Sequence, residues 1–177
     1  MKLSRILKIF IVPYRELYRR LLPEKYARHI GVNAGENLHV YGPVSWGTEP
    51  WIITLGNNVH ITGECKFIAH DGGTLIFRNE IPDLEITKPI RVGNNVYFGE
   101  ETLVLPGVTI GSNVVIGARS VVTKDIPDNT VVCGAPARVI KSTDEYLEKL
   151  KKESLHLGHL KGKEKDKALR EYYGYRK

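Results

Sequence analysis

From Val92 the chain can be written in sixes: VGNNVY, FGEETL, VLPGVT, IGSNVV, IGARSV, VTKDIP. The first place of each hexad is Val92, Phe98, Val104, Ile110, Ile116 or Val122, apolar every time. The fifth is Val96, Thr102, Val108, Val114, Ser120 or Ile126, small or β-branched throughout. Glycine recurs at the second place, in Gly93, Gly99, Gly111 and Gly117. The same frame reads earlier as LGNNVH, ITGECK and FIAHDG, from Leu55, Ile61 and Phe67. Such a period fits neither an α-helix, at about 3.6, nor a half-buried strand, at about 2. A short strand plus a turn, repeated, satisfies it. One bulky side chain per strand points inward, and the glycine and asparagine places permit a tight turn backbone. Three hexads make one triangular coil, and successive coils pair edge to edge as a solenoid. Residues 92–127 form two coils and residues 55–72 one more. Residues 31–54 hold a degenerate first coil, in which Gly31, Gly35, Gly42 and Gly47 persist while the frame slips.

The frame breaks between Gly72 and Ile90, and residues 73–89 must leave the stack as a loop. Loops longer than about 12–15 residues in a compact domain are usually functional. His70 stands just before this exit, at the outward fourth place of its hexad, with Asp71 beside it.

The run IGARSVVTKDIPDNTVVCGAPARVIK, residues 116–141, resembles the terminal coil and exit strand of the hexapeptide-repeat acyltransferases. The resemblance covers residues 31–141 and is closest to the galactoside, maltose and xenobiotic branch with the polysaccharide O-acetyltransferases. It implies a mainly β fold, a left-handed parallel β-helix with helices at both ends. The handedness comes from the resemblance alone, since right-handed crossovers are the physical default. It also implies acetyl-CoA as donor, no metal, a sugar or polysaccharide hydroxyl as acceptor, and a homotrimer with active sites between subunits.

Moving an acetyl group from a thioester to a hydroxyl needs a base near neutral pH, and histidine is suited to it. The family's catalytic histidine falls on His70, and Asp71 is expected at the acceptor or in the loop's geometry. The coenzyme's phosphates call for Lys and Arg, and the family pattern carries coenzyme contacts onto Ala118, Thr123, Lys124, Arg138 and Lys141. Glu100, with Glu101, stands beside the expected thioester where relatives often have a small or polar residue. A backbone N–H near Gly99–Glu100 is the expected oxyanion donor. Trp46 and Trp51 are read either as walls of an acceptor site or as core.

The net charge is +6, and residues 1–30 hold eight Lys/Arg against two Asp/Glu, so the excess sits there. The remainder balances, which argues against nucleic acid as a partner. Residues 1–30 are read as a basic helical segment, with Leu3, Ile6, Leu7 and Phe10 at helical spacing, a break near Pro13, and helix resuming over 14–22. Its apolar run is too short for a secretory signal or a membrane span. It is expected to pack on the domain or a neighbouring subunit, with contact of residues 1–22 to an anionic membrane as the alternative. Two cysteines, Cys65 and Cys133, read as reduced thiols in a cytoplasmic protein. The resemblance implies an acyltransferase domain over residues 31–141, and 142–177 is expected to be a tail with one helix from about Ser142 and another near 163–173. A γ-class carbonic-anhydrase-like zinc site is set aside for want of a closely spaced histidine pair. A non-catalytic β-helix scaffold and an N-acetyltransferase acting on an amino sugar are the standing alternatives.

Overall fold

The computed structural model describes residues 15–175. Residues 15–21 are helical, followed by α1 (Pro23–His29). The basic helix expected over residues 1–13 lies outside the described residues. From residue 33 the chain runs through short strands that visit three parallel sheets in turn. The first sheet holds β1 (Asn33–Ala34), β3 (Ile53–Leu55), β6 (Ile90–Val92) and β9 (Thr109–Ile110). The second holds β2 (His39–Val40), β4 (Val59–Ile61), β7 (Val96–Phe98), β10 (Val114–Ile116), β12 (Thr130–Cys133) and β13 (Arg138–Ser142). The third holds β5 (Lys66–Phe67), β8 (Leu103–Val104) and β11 (Val121–Val122). Each coil therefore lends one strand to each side, and equivalent residues stack: Phe67 on Val104, and Val104 on Val122. The degenerate first coil is present too, as β1, β2 and a bridge from Ser45 to Lys66.

The inward row is the one the hexads define. Leu55, Ile61, Phe67, Val92, Phe98, Val104, Ile110, Ile116 and Val122 are all buried, as are Val59, Cys65, Val96, Thr102, Val108, Val114, Ser120 and Ile126 at the fifth place. Burial of each large apolar side chain stabilises the fold by about 1.5–3 kcal/mol. The hydroxyls in this row are satisfied within the wall: Thr102 donates to the Gly99 carbonyl and Ser120 to that of Gly117.

Glycine and asparagine divide the work differently from the expectation. Left-handed turn backbone is taken by Asn58, Asn95, Asn113 and Asn129, with φ from 55° to 59°, and at other corners by Glu64, Glu101, Arg119 and Gly107. The asparagine amides form a ladder, each Nδ2 donating to the next Oδ1 at 2.9–3.0 Å. The second-place glycines serve the close stacking of coils instead. A Cβ on Gly99 would stand 2.4 Å from the backbone nitrogen of Ala118.

Both ends of the stack are closed. At the first coil, Glu24 of α1 accepts from the outward N–H of Val40 at 3.0 Å. Arg28 of α1 donates to the carbonyls of Ala34 and Gly35. At the last coil, β13 turns back antiparallel along β12.

Two compact units divide between Thr143 and Asp144. The second contains most of α2 (Thr143–Glu153) and all of α3 (Gly162–Tyr173), helices that bury none of their residues.

Candidate active site

The loop after β5 is a folded lobe with a closed neck. His70 bridges Thr87 in antiparallel fashion. Asp71 N–H donates to Ile86 O at 2.9 Å, and Lys88 N–H to Ala69 O at 2.8 Å. A 3-10 turn then runs over Gly72–Phe77. Asp71 caps it, its Oδ1 accepting from Gly73 N–H at 2.8 Å, and Thr74 donates back to the Asp71 carbonyl at 3.0 Å. Farther out, Arg78 pairs with Glu85 at 2.6 Å. The lobe is thus fixed by its own polar groups, while Leu75, Ile76 and Phe77 stay exposed.

His70 lies at the foot of this lobe, in a groove of about 290 Å³ lined also by Thr48, Glu49, Thr74, Leu75 and Arg78. Its Nδ1 is 2.8 Å from Glu49 Oε2. Thr48 Oγ1 donates to the other carboxylate oxygen at 2.6 Å and stands 3.3 Å from the same imidazole nitrogen. The Thr48 hydroxyl, and then His70, hold the Glu49 carboxyl below its ordinary range. With Glu49 ionised, Nδ1 is the nitrogen that donates to it, so in the neutral ring Nε2 is the acceptor. Glu49 holds the imidazole as a carboxylate holds the base of a hydrolytic triad.

Glu49 was absent from the residues the sequence pointed to. It sits in the irregular first coil, where no hexad frame marks it. Its separation of 21 residues from His70 is one eighteen-residue coil lengthened by the three-residue 3-10 turn Pro50–Ile52. Counting coils around that turn is the signal that would have found it.

Asp71 lines the groove, but its carboxylate is engaged by the lobe's backbone, the second of the two roles considered for it. The remaining expected residues fall in three places. Glu100 and Ala118 are exposed on the corner between the second and third sheets. Glu101, on that corner, forms an ion pair with Arg119 of the next coil at 2.7 Å, so one of the two unexpected acids is neutralised by its neighbour in the stack. Thr123 and Lys124 follow β11 as Ile68 and Ala69 follow β5. They thus share the corner of His70, two coils away, about 9–10 Å along the stack. Arg138 and Lys141 lie on the exit strand β13, opposite Cys133 and Val131. Gly99 N–H donates to Ile116 O at 2.8 Å, so this amide is spent in the coil ladder and cannot serve as the oxyanion donor.

The two tryptophans part company. Trp46 is core, stacked on Phe67 with centroids 5.1 Å apart, whereas Trp51 is 64% exposed. His60 is half-buried and stacked on His39 at 4.6 Å. Both of its ring nitrogens are engaged, by Tyr41 and Asn58. Burial and the neighbouring His39 push its pKa down.

The pattern of the bacterial transferase hexapeptide (six repeats) family matches residues 89–124, the regular coils after the lobe. Protein CapG of Staphylococcus aureus is 42% identical over 139 residues, 77% of this chain and 81% of that protein. A maltose O-acetyltransferase from Clostridium difficile 630 shares the fold with a TM-score of 0.57 at 28% identity, over 76% of this chain and 85% of that one. A galactoside acetyltransferase solved in complex with coenzyme A gives 0.53 at 28% identity, over 79% and 76% of the two chains. The chain belongs to the bacterial hexapeptide transferase family.

Glu49→Gln tests the pairing in two ways. The amide can donate to Nδ1 and move the proton to Nε2, so kcat should fall at least about tenfold while coenzyme affinity holds. A carboxylate with a lowered folded pKa adds stability above its unfolded value and loses it as pH falls through the folded value. Urea unfolding should therefore separate wild type from Glu49→Gln at neutral pH, and the gap should close below the ordinary glutamate value of 4.5.

Proposed function

We propose that the protein is an O-acetyltransferase that moves the acetyl group of acetyl-CoA to a hydroxyl of a sugar or polysaccharide precursor. The observation that carries this reading is His70, held through Nδ1 by an ionised Glu49 at the foot of the lobe. The acceptor hydroxyl gives its proton to Nε2 as its oxygen bonds to the thioester carbonyl carbon. When the tetrahedral intermediate collapses, the carbon–sulfur bond breaks and Nε2–H returns the proton to the leaving thiolate. Glu49 stabilises the imidazolium between those steps and keeps the ring in line.

The likeness to the maltose and galactoside enzymes supports the donor, the acceptor class and a left-handed winding of the coils. Ala118, Thr123, Lys124, Arg138 and Lys141 are the proposed coenzyme contacts, with Glu100 beside the arm. On one chain Glu100 and Ala118 lie across the third sheet from Thr123 and Lys124. A coenzyme lying between two subunits touches both corners, which favours the homotrimer. The proposed setting is the cytoplasm. Among the described residues no helix is long and apolar enough to cross a membrane.

Calorimetric titration of coenzyme A needs no acceptor. Micromolar binding is expected, weakened at least about tenfold in an Arg138→Ala, Lys141→Ala double variant through loss of charge-assisted contacts. No binding at millimolar coenzyme would leave a β-helix scaffold without this chemistry.

A further inference from the structure

Beside the His70 groove lies a second cleft, of about 530 Å³. Arg15, Arg19, Tyr26, Ser45, Thr48 and Trp51 line it. Thr48 belongs to both cavities, so a molecule with its reacting hydroxyl at His70 can extend past Thr48 into this cleft. The proposed coenzyme contacts lie elsewhere, on later coils and the exit strand.

The cleft carries uncompensated positive charge. Glu16 is the only carboxylate among residues 15–20, and it answers both Arg19, at 2.9 Å, and Arg20, at 2.8 Å. Glu64 adds a weaker field at Arg19. Arg15 is left with the neutral hydroxyl of Tyr26 at 3.4 Å, and among the described residues no carboxylate pairs with it. A guanidinium presents five N–H donors in a fork that matches phosphate oxygens. The exposed indole of Trp51 also lines the cleft, a flat apolar face of the kind a sugar ring or a base stacks on.

We infer that the acceptor is an anionic sugar derivative whose phosphate or diphosphate group is seated by Arg15, with Trp51 against the ring that bears it. The inference rests on the acyl-transfer reading and adds the acceptor's class to it. A phosphate next to the sugar can come from a nucleotide or from a lipid carrier, and the cleft recognises the group they share.

The probe is inorganic pyrophosphate, titrated calorimetrically into the full chain already saturated with coenzyme A, so that the coenzyme's own phosphate sites are filled. Binding is expected. Arg15→Gln should weaken it about tenfold or more. Uridine diphosphate and vesicles carrying phosphatidic acid are titrated in parallel. Tighter binding of the first supports a nucleotide-linked acceptor, and of the second a lipid-linked one. Pyrophosphate binding weaker than about 10 mM overturns the inference, as does binding that survives Arg15→Gln. Loss of coenzyme affinity in Arg15→Gln overturns it too, because Arg15 would then belong to the donor site. Coenzyme binding retained in the same samples leaves the acyl-transfer reading standing whichever way pyrophosphate falls.

Discussion

His70→Ala is expected to bind coenzyme A as the wild type does and to transfer acetyl about 10²–10⁴-fold more slowly, the usual contribution of a positioned general base. At about 1.4 kcal/mol per decade this is about 3–5 kcal/mol of transition-state stabilisation. The change should act on chemistry rather than folding. The imidazole is 37% exposed and its side chain meets Glu49 and Thr48. Without it, Glu49 still accepts from Thr48, so no buried charge is stranded. Release of free thiol from acetyl-CoA, followed with saturating acceptor, gives the rate. Activity within tenfold of the wild type would remove His70 from the reaction and leave Glu49 without a catalytic partner.

Phe67→Ala should produce the largest loss of stability. The ring is 1% exposed, stacked against Trp46 and set edge-on to Phe98 at 5.4 Å. It therefore joins the irregular first coil to the regular ones beneath. Truncating a buried phenylalanine costs about 3–5 kcal/mol, against a total of about 5–15 kcal/mol for an ordinary domain. Urea unfolding monitored by tryptophan fluorescence should show the midpoint falling with little change in slope. A shift worth less than about 1 kcal/mol would mean that Trp46 and Phe98 close over the space, and that the aromatic stack is not what couples the coils.

The regular coils were legible because their period is dictated by geometry. An inward row at the first and fifth places is what any three-sided stack of short strands requires, and it needs no knowledge of distant contacts. His70 was legible as the residue at which that order stops. The partner of His70 was not, because Glu49 is in the coil that lost its frame and is reached across coils rather than along the chain. The adjacent carboxylate drew attention instead, yet Asp71 faces its own turn, as a short acidic side chain before a 3-10 turn tends to do. The second-place glycines were located correctly and explained by the wrong cause, whereas Gly31, Gly47 and Gly107 do take the positive-φ backbone expected of them. Sequence shows that a residue is small, and only the neighbouring coil shows that the constraint is a backbone 2.4 Å from any added Cβ. Trp46 and Trp51 are five positions apart in one irregular stretch, and nothing in their spacing separates the buried ring from the exposed one.

A stack of parallel strands has two faces where the hydrogen-bonding pattern would simply continue, and at each of them another copy of the chain could add itself without limit. Glu24 occupies the outward N–H of Val40, and Arg28 covers the carbonyls of Ala34 and Gly35. At the far end β13 runs against the direction of the other strands of its sheet, so an incoming parallel strand finds the wrong pattern of donors and acceptors there. The same few residues that finish the fold therefore keep it from growing end to end into a fibre, and hold growth to the sides of the prism, where a closed ring of subunits can form.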